Sequence, residues 1–167
     1  LSYDTTSNVT NMKGMFYFCK QLTTIPLINT SLVTDMQSMF LYCSKLTTIP
    51  QLNTSKVTNM YMFFRNCTSL ESVPLLNAQA VTWIEQIFYN TSKLTTLGGL
   101  QNLGQNYNTN ASENYRDYKL SLSSCTKLTH DSLMNVINNL YDIATKGVKT
   151  QQLVLGSTNM AKLTAEE

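Results

Sequence analysis

The chain holds one histidine, His130, beside Asp131, and a hydrolase would need that imidazole to serve a positioned nucleophile. No serine or cysteine spacing marks such a partner, so His130 is expected as a water-exposed residue at a helix start rather than as a catalytic base. The acidic residues Asp35, Glu71, Glu85, Glu113, Asp117, Asp131 and Asp142 are scattered and give no paired carboxylates at a repeated spacing. Gly98-Gly99 with Gly104 fits neither a phosphate loop nor a dinucleotide fingerprint. Cys19, Cys43 and Cys67 recur every 24 residues and Cys125 follows, without any Cys-x-x-Cys pair. Zinc ligation is therefore not indicated, and small buried apolar side chains are the expected role. Whether these thiols are free stays open. No catalytic residue, metal or cofactor is expected, and the chain is expected not to be an enzyme. Asn-x-Ser/Thr triplets at Asn8, Asn29, Asn53, Asn66, Asn90 and Asn110 would be glycan acceptors in a secreted eukaryotic chain. Most of them recur simply because a longer pattern recurs.

That pattern sets the elements. Valines at 9, 33, 57 and 81, leucines at 22, 46, 70 and 94, and prolines at 26, 50 and 74 all step by 24, a period that marks units which bury their apolar faces against one another. Within a unit Met12, Met15, Phe16 and Cys19 have the i, i+3, i+4, i+7 spacing of one stripe on a short helix of about two turns. The later copies are Met36, Met39, Phe40, Cys43, then Met60, Phe63, Phe64, Cys67, then Ile84, Ile87, Phe88, Thr91. Thr34 with Gln37 and Thr82 with Glu85 fit capping boxes at the helix starts. The runs Leu22 to Pro26, Leu46 to Pro50 and Leu70 to Pro74 read as short parallel strands closed by proline, with Gly98 in that place in the fourth copy.

Beyond Gly98-Gly99 the regular period breaks. Residues 102–118 read as a polar insertion loop. A helix is expected over 131–146, with Leu133, Val136, Ile137 and Leu140 on one face and Gly147 as its stop. Leu153-x-Leu155 repeats Leu120-x-Leu122 at a distance of 33 residues, and Thr164-Ala-Glu-Glu167 looks like the first turn of a further helix. One domain over 1–167 is expected, with four 24-residue repeats in 1–101, the insertion in 102–118 and longer leucine-rich units in 119–167. The absence of an initiator Met and that final cap suggest a piece of a longer protein.

Charged residues make up 13% of the chain and the formal net charge is +2, about half the usual charged share of ~25%. There is no basic field for nucleic acid, and the apolar runs fall far short of the ~18 to 20 residues that span a bilayer. No direct membrane insertion is expected of this stretch. If the Met/Phe/Cys stripe faces inward, the outward residues include Tyr17, Phe18, Leu41, Tyr42, Tyr61, Met62, Arg65 and Tyr89, an aromatic set that is either a docking face or partly covered by adjacent repeats. Thr24 and Thr48 lie in a hydroxyl ladder, Thr23-Thr24, Thr47-Thr48, Glu71-Ser72 and Thr95-Thr96, which suits a sugar or peptide ligand or a merely solvated strand. Trp83 replaces Asn11, Asp35 and Asn59 of the other copies, as a recognition anchor or under the cover of the insertion. Tyr17, Phe18, Tyr42, Tyr61, Arg65, Tyr89, Thr24, Thr48 and Trp83 are thus the candidate partner-binding residues.

The run Asn-Thr-Ser-x-Val-Thr-Asp/Asn-Met-x-x-Met-Phe-x-x-Cys-x-x-Leu-Thr-Thr-Ile-Pro, carried by residues 6 to about 100, resembles the BspA-like leucine-rich-repeat proteins of bacterial surfaces, some protozoan surface families and gut phages. Leu120-x-Leu122-x-x-Cys125-x-x-Leu128-Thr129 resembles the cysteine-containing leucine-rich repeat. The resemblance implies an α/β fold, a right-handed leucine-rich-repeat solenoid with a parallel sheet on one side and short helices on the other. It also implies a non-catalytic cell-surface or secreted adhesion module that binds a protein or glycan. The alternative is a structural assembly or spacer unit of a larger particle, such as a phage tail, that oligomerises through the outward face.

Overall fold

The structure is a computed structural model that describes residues 6–105, 119–140 and 152–164. The expected right-handed solenoid, with a parallel sheet on one side and a layer of helices on the other, is not what it contains. Among the described residues the strands are two or three residues long: β1 (Ser72–Val73), β2 (Leu76–Asn77), β3 (Thr96–Leu97), β4 (Leu100–Gln101), β5 (Lys119–Ser121) and β6 (Gln152–Val154). They form three separate two-stranded parallel pairs, β1 with β3, β2 with β4 and β5 with β6. The first two Leu-to-Pro runs make no strand, and only the single bridge Thr48↔Ser72 extends the β1–β3 pairing backward. The helices are α1 (His130–Asn139) and α2 (Ser157–Thr164).

None of the four expected repeat helices forms, and the hydrogen bonds show why. In an α-helix every N–H turns back to the carbonyl four residues earlier. Here the N–H groups of Met12, Gly14, Phe16 and Phe18 leave their own segment for the carbonyls of Asp35, Gln37, Met39 and Leu41, while those of Met15, Tyr17 and Cys19 turn back three residues. The next copy does the same, from Met36, Ser38, Phe40 and Tyr42 to Asn59, Tyr61, Phe63 and Arg65. This alternation requires a left-handed residue every fourth position, at Gly14, Ser38, Met62 and Gln86 and again at Phe18, Tyr42, Asn66 and Asn90, with φ between 56° and 65°. Each non-glycine among them costs on the order of 1–3 kcal/mol, offset by backbone bonds to the following repeat and by burial.

The threonines expected as helix caps are used between repeats instead. Thr34, Thr58 and Thr82 each donate both N–H and hydroxyl to the carbonyls of Thr10, Thr34 and Thr58. The side chains of Asn11, Asp35 and Asn59 accept from the N–H two residues on, so asparagine or aspartate makes the local turn that the threonine was expected to make.

The inward column holds in the second to fourth copies. Met36, Met39, Phe40 and Cys43, Met60, Phe63, Phe64 and Cys67, and Ile84, Ile87, Phe88 and Thr91 are all buried. In the first copy only Met12 is fully buried; Met15 is 47% exposed and Cys19 is exposed. Phe16, Phe40, Phe64 and Phe88 form a column of near-parallel rings with centroids 5.4, 5.5 and 5.8 Å apart. The core continues through Leu97, Leu100 and Leu103 to Leu120, Leu122, Cys125, Leu128, Leu133, Val136 and Leu155.

Gly98 sits where the backbone of Leu75 passes: a Cβ there would lie 2.4 Å from the Leu75 nitrogen. The loss of proline at that position thus follows from close packing of two backbones. Asn102 donates its N–H to the Asn139 carbonyl and Leu103 bridges to Leu140, so the start of the expected 102–118 insertion is tied to the end of α1; residues 106–118 lie outside the described ones. Helix α1 starts on the Thr129 cap, whose hydroxyl accepts from Ser132 N, and ends at Asn139 because Leu140 is extended. It is shorter than the expected 131–146 helix, and Gly147 lies outside the described residues. The 33-residue register appears as Leu120↔Leu153. After it, α2 occupies 157–164, so the helix expected to begin at Thr164 instead ends there.

Candidate binding surfaces

The nine candidate residues divide into three places. Tyr17 and Phe18 are 53% and 50% exposed and Tyr42 is 38% exposed. Their centroids lie 5.8 Å (Tyr17–Phe18), 6.4 Å (Tyr17–Tyr42) and 5.5 Å (Phe18–Tyr42) apart. Phe18 and Tyr42 have positive φ, at 63° and 65°. The Lys20 ammonium lies over the Phe18 ring at 4.2 Å, a contact worth about 0.5–1 kcal/mol at an exposed site.

Tyr61 is half-buried and stacks on Trp83 at 4.4 Å and 18°, so Tyr61 is what covers the indole among the described residues. Arg65 lies over Tyr89 at 4.9 Å and bonds Gln86 Oε1, while Tyr89 is 52% exposed. Leu41, expected on the outward face, is buried.

Thr24 and Thr48 lie in the Leu-to-Pro runs, where the hydroxyl ladder is largely committed to holding repeats together. Thr47 and Thr95 donate to the carbonyls of Thr23 and Glu71, and Ser72 donates to Thr48 Oγ1 at 2.9 Å. Thr24 remains exposed and Thr48 half-buried.

A further surface was not singled out from sequence. Asn29, Asn53 and Asn77 recur at 24 residues, and each Oδ1 accepts the N–H two residues on, at 3.0, 3.1 and 3.0 Å. The buried hydroxyls of Thr30 and Thr54 donate to the carbonyls of Asn53 and Asn77, locking one asparagine turn to the next. Beside them are two recesses of about 390 and 410 Å³ that share Gln51 and Asn53. The signal was present in the recurring Asn-Thr-Ser triplets, which point equally to turn chemistry and to glycan acceptors.

His130 Nδ1 lies 3.6 Å from Asp131 Oδ1, a carboxylate almost fully in water. Among the described residues no group of three His, Cys, Asp or Glu side chains could hold a metal, and no helix is long and apolar enough to cross a membrane. The cysteines are free thiols. Cys43 and Cys67 donate to the carbonyls of Phe16 and Phe40 at 3.0 Å, and Cys125 lies 3.1 Å from Thr91 Oγ1. Burial pushes Cys43 and Cys125 up to about 11 and Cys67 up further. These thiols stay protonated at neutral pH and act as donors rather than nucleophiles.

No curated protein and no solved structure matches the chain. A family model described as "Mycoplasma protein of unknown function, DUF285" matches residues 10–131, which takes in the first 24-residue repeat from Thr10 on and the next three, and runs on through Cys125 to the first turn of α1. By that match the chain belongs to the DUF285 family.

Proposed function

We propose that this chain is a non-catalytic binding module of a cell-surface or secreted protein of the BspA-like kind, recognising a protein or glycan partner through its repeat surface. The family supports the reading, because DUF285 sequences are often associated with BspA-like surface proteins. The observation that carries it is the exposed aromatic group Tyr17, Phe18 and Tyr42, with the Lys20 ammonium over the Phe18 ring. Exposed aromatic side chains held against one another by a fixed backbone are what an interface anchor requires.

A second reading, an assembly unit of a larger particle, is favoured by one feature of the same edge. The carbonyls of Asn11, Lys13, Met15 and Tyr17 are the equivalents of those that accept in the second repeat, and they have no hydrogen-bond partner among the described residues. A row of backbone acceptors beside exposed rings is where a neighbouring repeat or another chain would pair.

Light scattering across a concentration series separates the two, using Tyr17→Ser with Tyr42→Ser because these rings are exposed and Tyr61 is stacked. A binding module stays monomeric at every concentration, with or without the changes. Mass that rises with concentration and falls back in the double variant overturns the first reading in favour of the second.

A further inference from the structure

Two recesses lie side by side and share Gln51 and Asn53 in their linings, and we infer that together they serve as the groove of a binding site for an extended, neutral oligosaccharide. This rests on the binding-module reading and assigns it a second set of residues, none of which belongs to the aromatic group.

The donors come first. Because Oδ1 of Asn29, Asn53 and Asn77 is held by a backbone N–H, each amide orientation is fixed and its Nδ2 group is left without a protein partner among the described residues. These donors are pre-organised, so little rotamer entropy opposes their use by a ligand. Gln51 adds an acceptor: its Nε2 donates to Leu52 and Leu75 carbonyls, which leaves Oε1 for a hydroxyl.

Spacing then chooses the ligand. The bonds from Thr30 and Thr54 to the next asparagine carbonyl set neighbouring turns one strand spacing apart, ~4.8 Å. An extended peptide presents like-facing groups only every second residue, ~6.6–6.8 Å, and falls out of step after one repeat. A pyranose in an extended β-linked chain advances by close to the repeat spacing, so one sugar meets one amide per repeat.

Charge and apolar surface agree. Neither recess has an Asp, Glu, Lys or Arg in its lining, which suits a ligand without charge. Leu27, 75% exposed, and Leu75, 36% exposed, stand one repeat to either side of Gln51, where they offer apolar platforms to the C–H faces of sugar rings.

The test uses the whole chain, made in a host that adds no N-glycans, titrated calorimetrically with a series of neutral β-linked oligosaccharides from two to five units. Affinity is expected to climb to about three units and then level off, the number of asparagine turns in the groove. Asn53→Asp keeps the acceptor for Ser55 N–H, and with it the turn, but removes the donor. It is expected to weaken binding by about tenfold or more at an unchanged melting temperature, whereas Met160→Ser, at an exposed position of α2, leaves binding as it was. Equal affinity in Asn53→Asp, or affinity independent of length, overturns the assignment. So does binding of a neutral extended peptide in preference to the sugars. Retention of a protein ligand that is lost in Tyr42→Ser, with no oligosaccharide bound, overturns the groove alone and leaves the binding-module reading standing.

Discussion

Replacing Phe64 with alanine removes the centre of the ring column. Phe64 is fully buried, lies 5.5 Å from Phe40 and 5.8 Å from Phe88 in near-parallel stacking, and meets Phe63 at 4.4 Å. A buried Phe→Ala change costs about 3–5 kcal/mol. Contacts on both faces, each worth roughly 0.5–1.5 kcal/mol beyond the area buried, place this site in the upper half of that range. Phe16 is half-buried and stacks on one neighbour, Phe40, at 5.4 Å, so Phe16→Ala should cost roughly half as much. Urea unfolding followed by circular dichroism, with midpoints compared at constant slope, measures both. The ordering matters more than either value: a loss below about 1 kcal/mol for Phe64→Ala, or equal losses at the two sites, would refute a column that draws its stability from neighbours on both sides.

Three further outcomes follow from the same packing. Unfolded thiols ionise near 9.0, while folded Cys43 and Cys125 hold their protons to about 11. Between those values the folded state binds more protons than the unfolded one, so stability is complete below pH 9 and falls as pH rises toward 11, by about 1.4 kcal/mol per pH unit for each thiol; urea midpoints from pH 8 to 10.5 should show a shallower fall in Cys43→Ala. Thr54→Val strips the buried donor from the Asn77 carbonyl and should cost about 1–3 kcal/mol. Thr34→Val, at an exposed site with a similar bond to Thr10, should cost under about 0.5 kcal/mol in the same titration.

The 24-residue period was plain in the sequence because each core position contacts its own equivalents, and the same side chain then serves every repeat. Phe40, Phe64 and Phe88 stack on one another for that reason. The local backbone was not legible. The spacing of Met36, Met39, Phe40 and Cys43 is a helical stripe, yet linked turns with a left-handed residue every fourth position bury the same four side chains and send alternate N–H groups to the next repeat. Positive φ at residues as large as Tyr42 and Met62 leaves no compositional mark. Thr34 and Gln37 fit a capping box in sequence, but a threonine hydroxyl also bonds a carbonyl across a close interface, and here it does.

On the surfaces, an inward stripe implied outward aromatics, and Tyr17, Phe18 and Tyr89 are exposed. Leu41 was misplaced because turns distribute side chains differently from a helix. The asparagine surface is not legible because Asn-Thr-Ser fits a turn and a glycan acceptor equally, and only hydrogen-bond geometry separates a turn-forming Oδ1 from an available Nδ2.

The measurement that tests the central claim most directly is equilibrium binding of the immobilised chain to a panel of neutral polysaccharides and extracellular-matrix proteins, with each ligand recovered and checked for chemical change. The account predicts reversible, saturable retention of at least one ligand, returned unaltered. No retention of any panel member, together with mass that rises with protein concentration in solution, would contradict it.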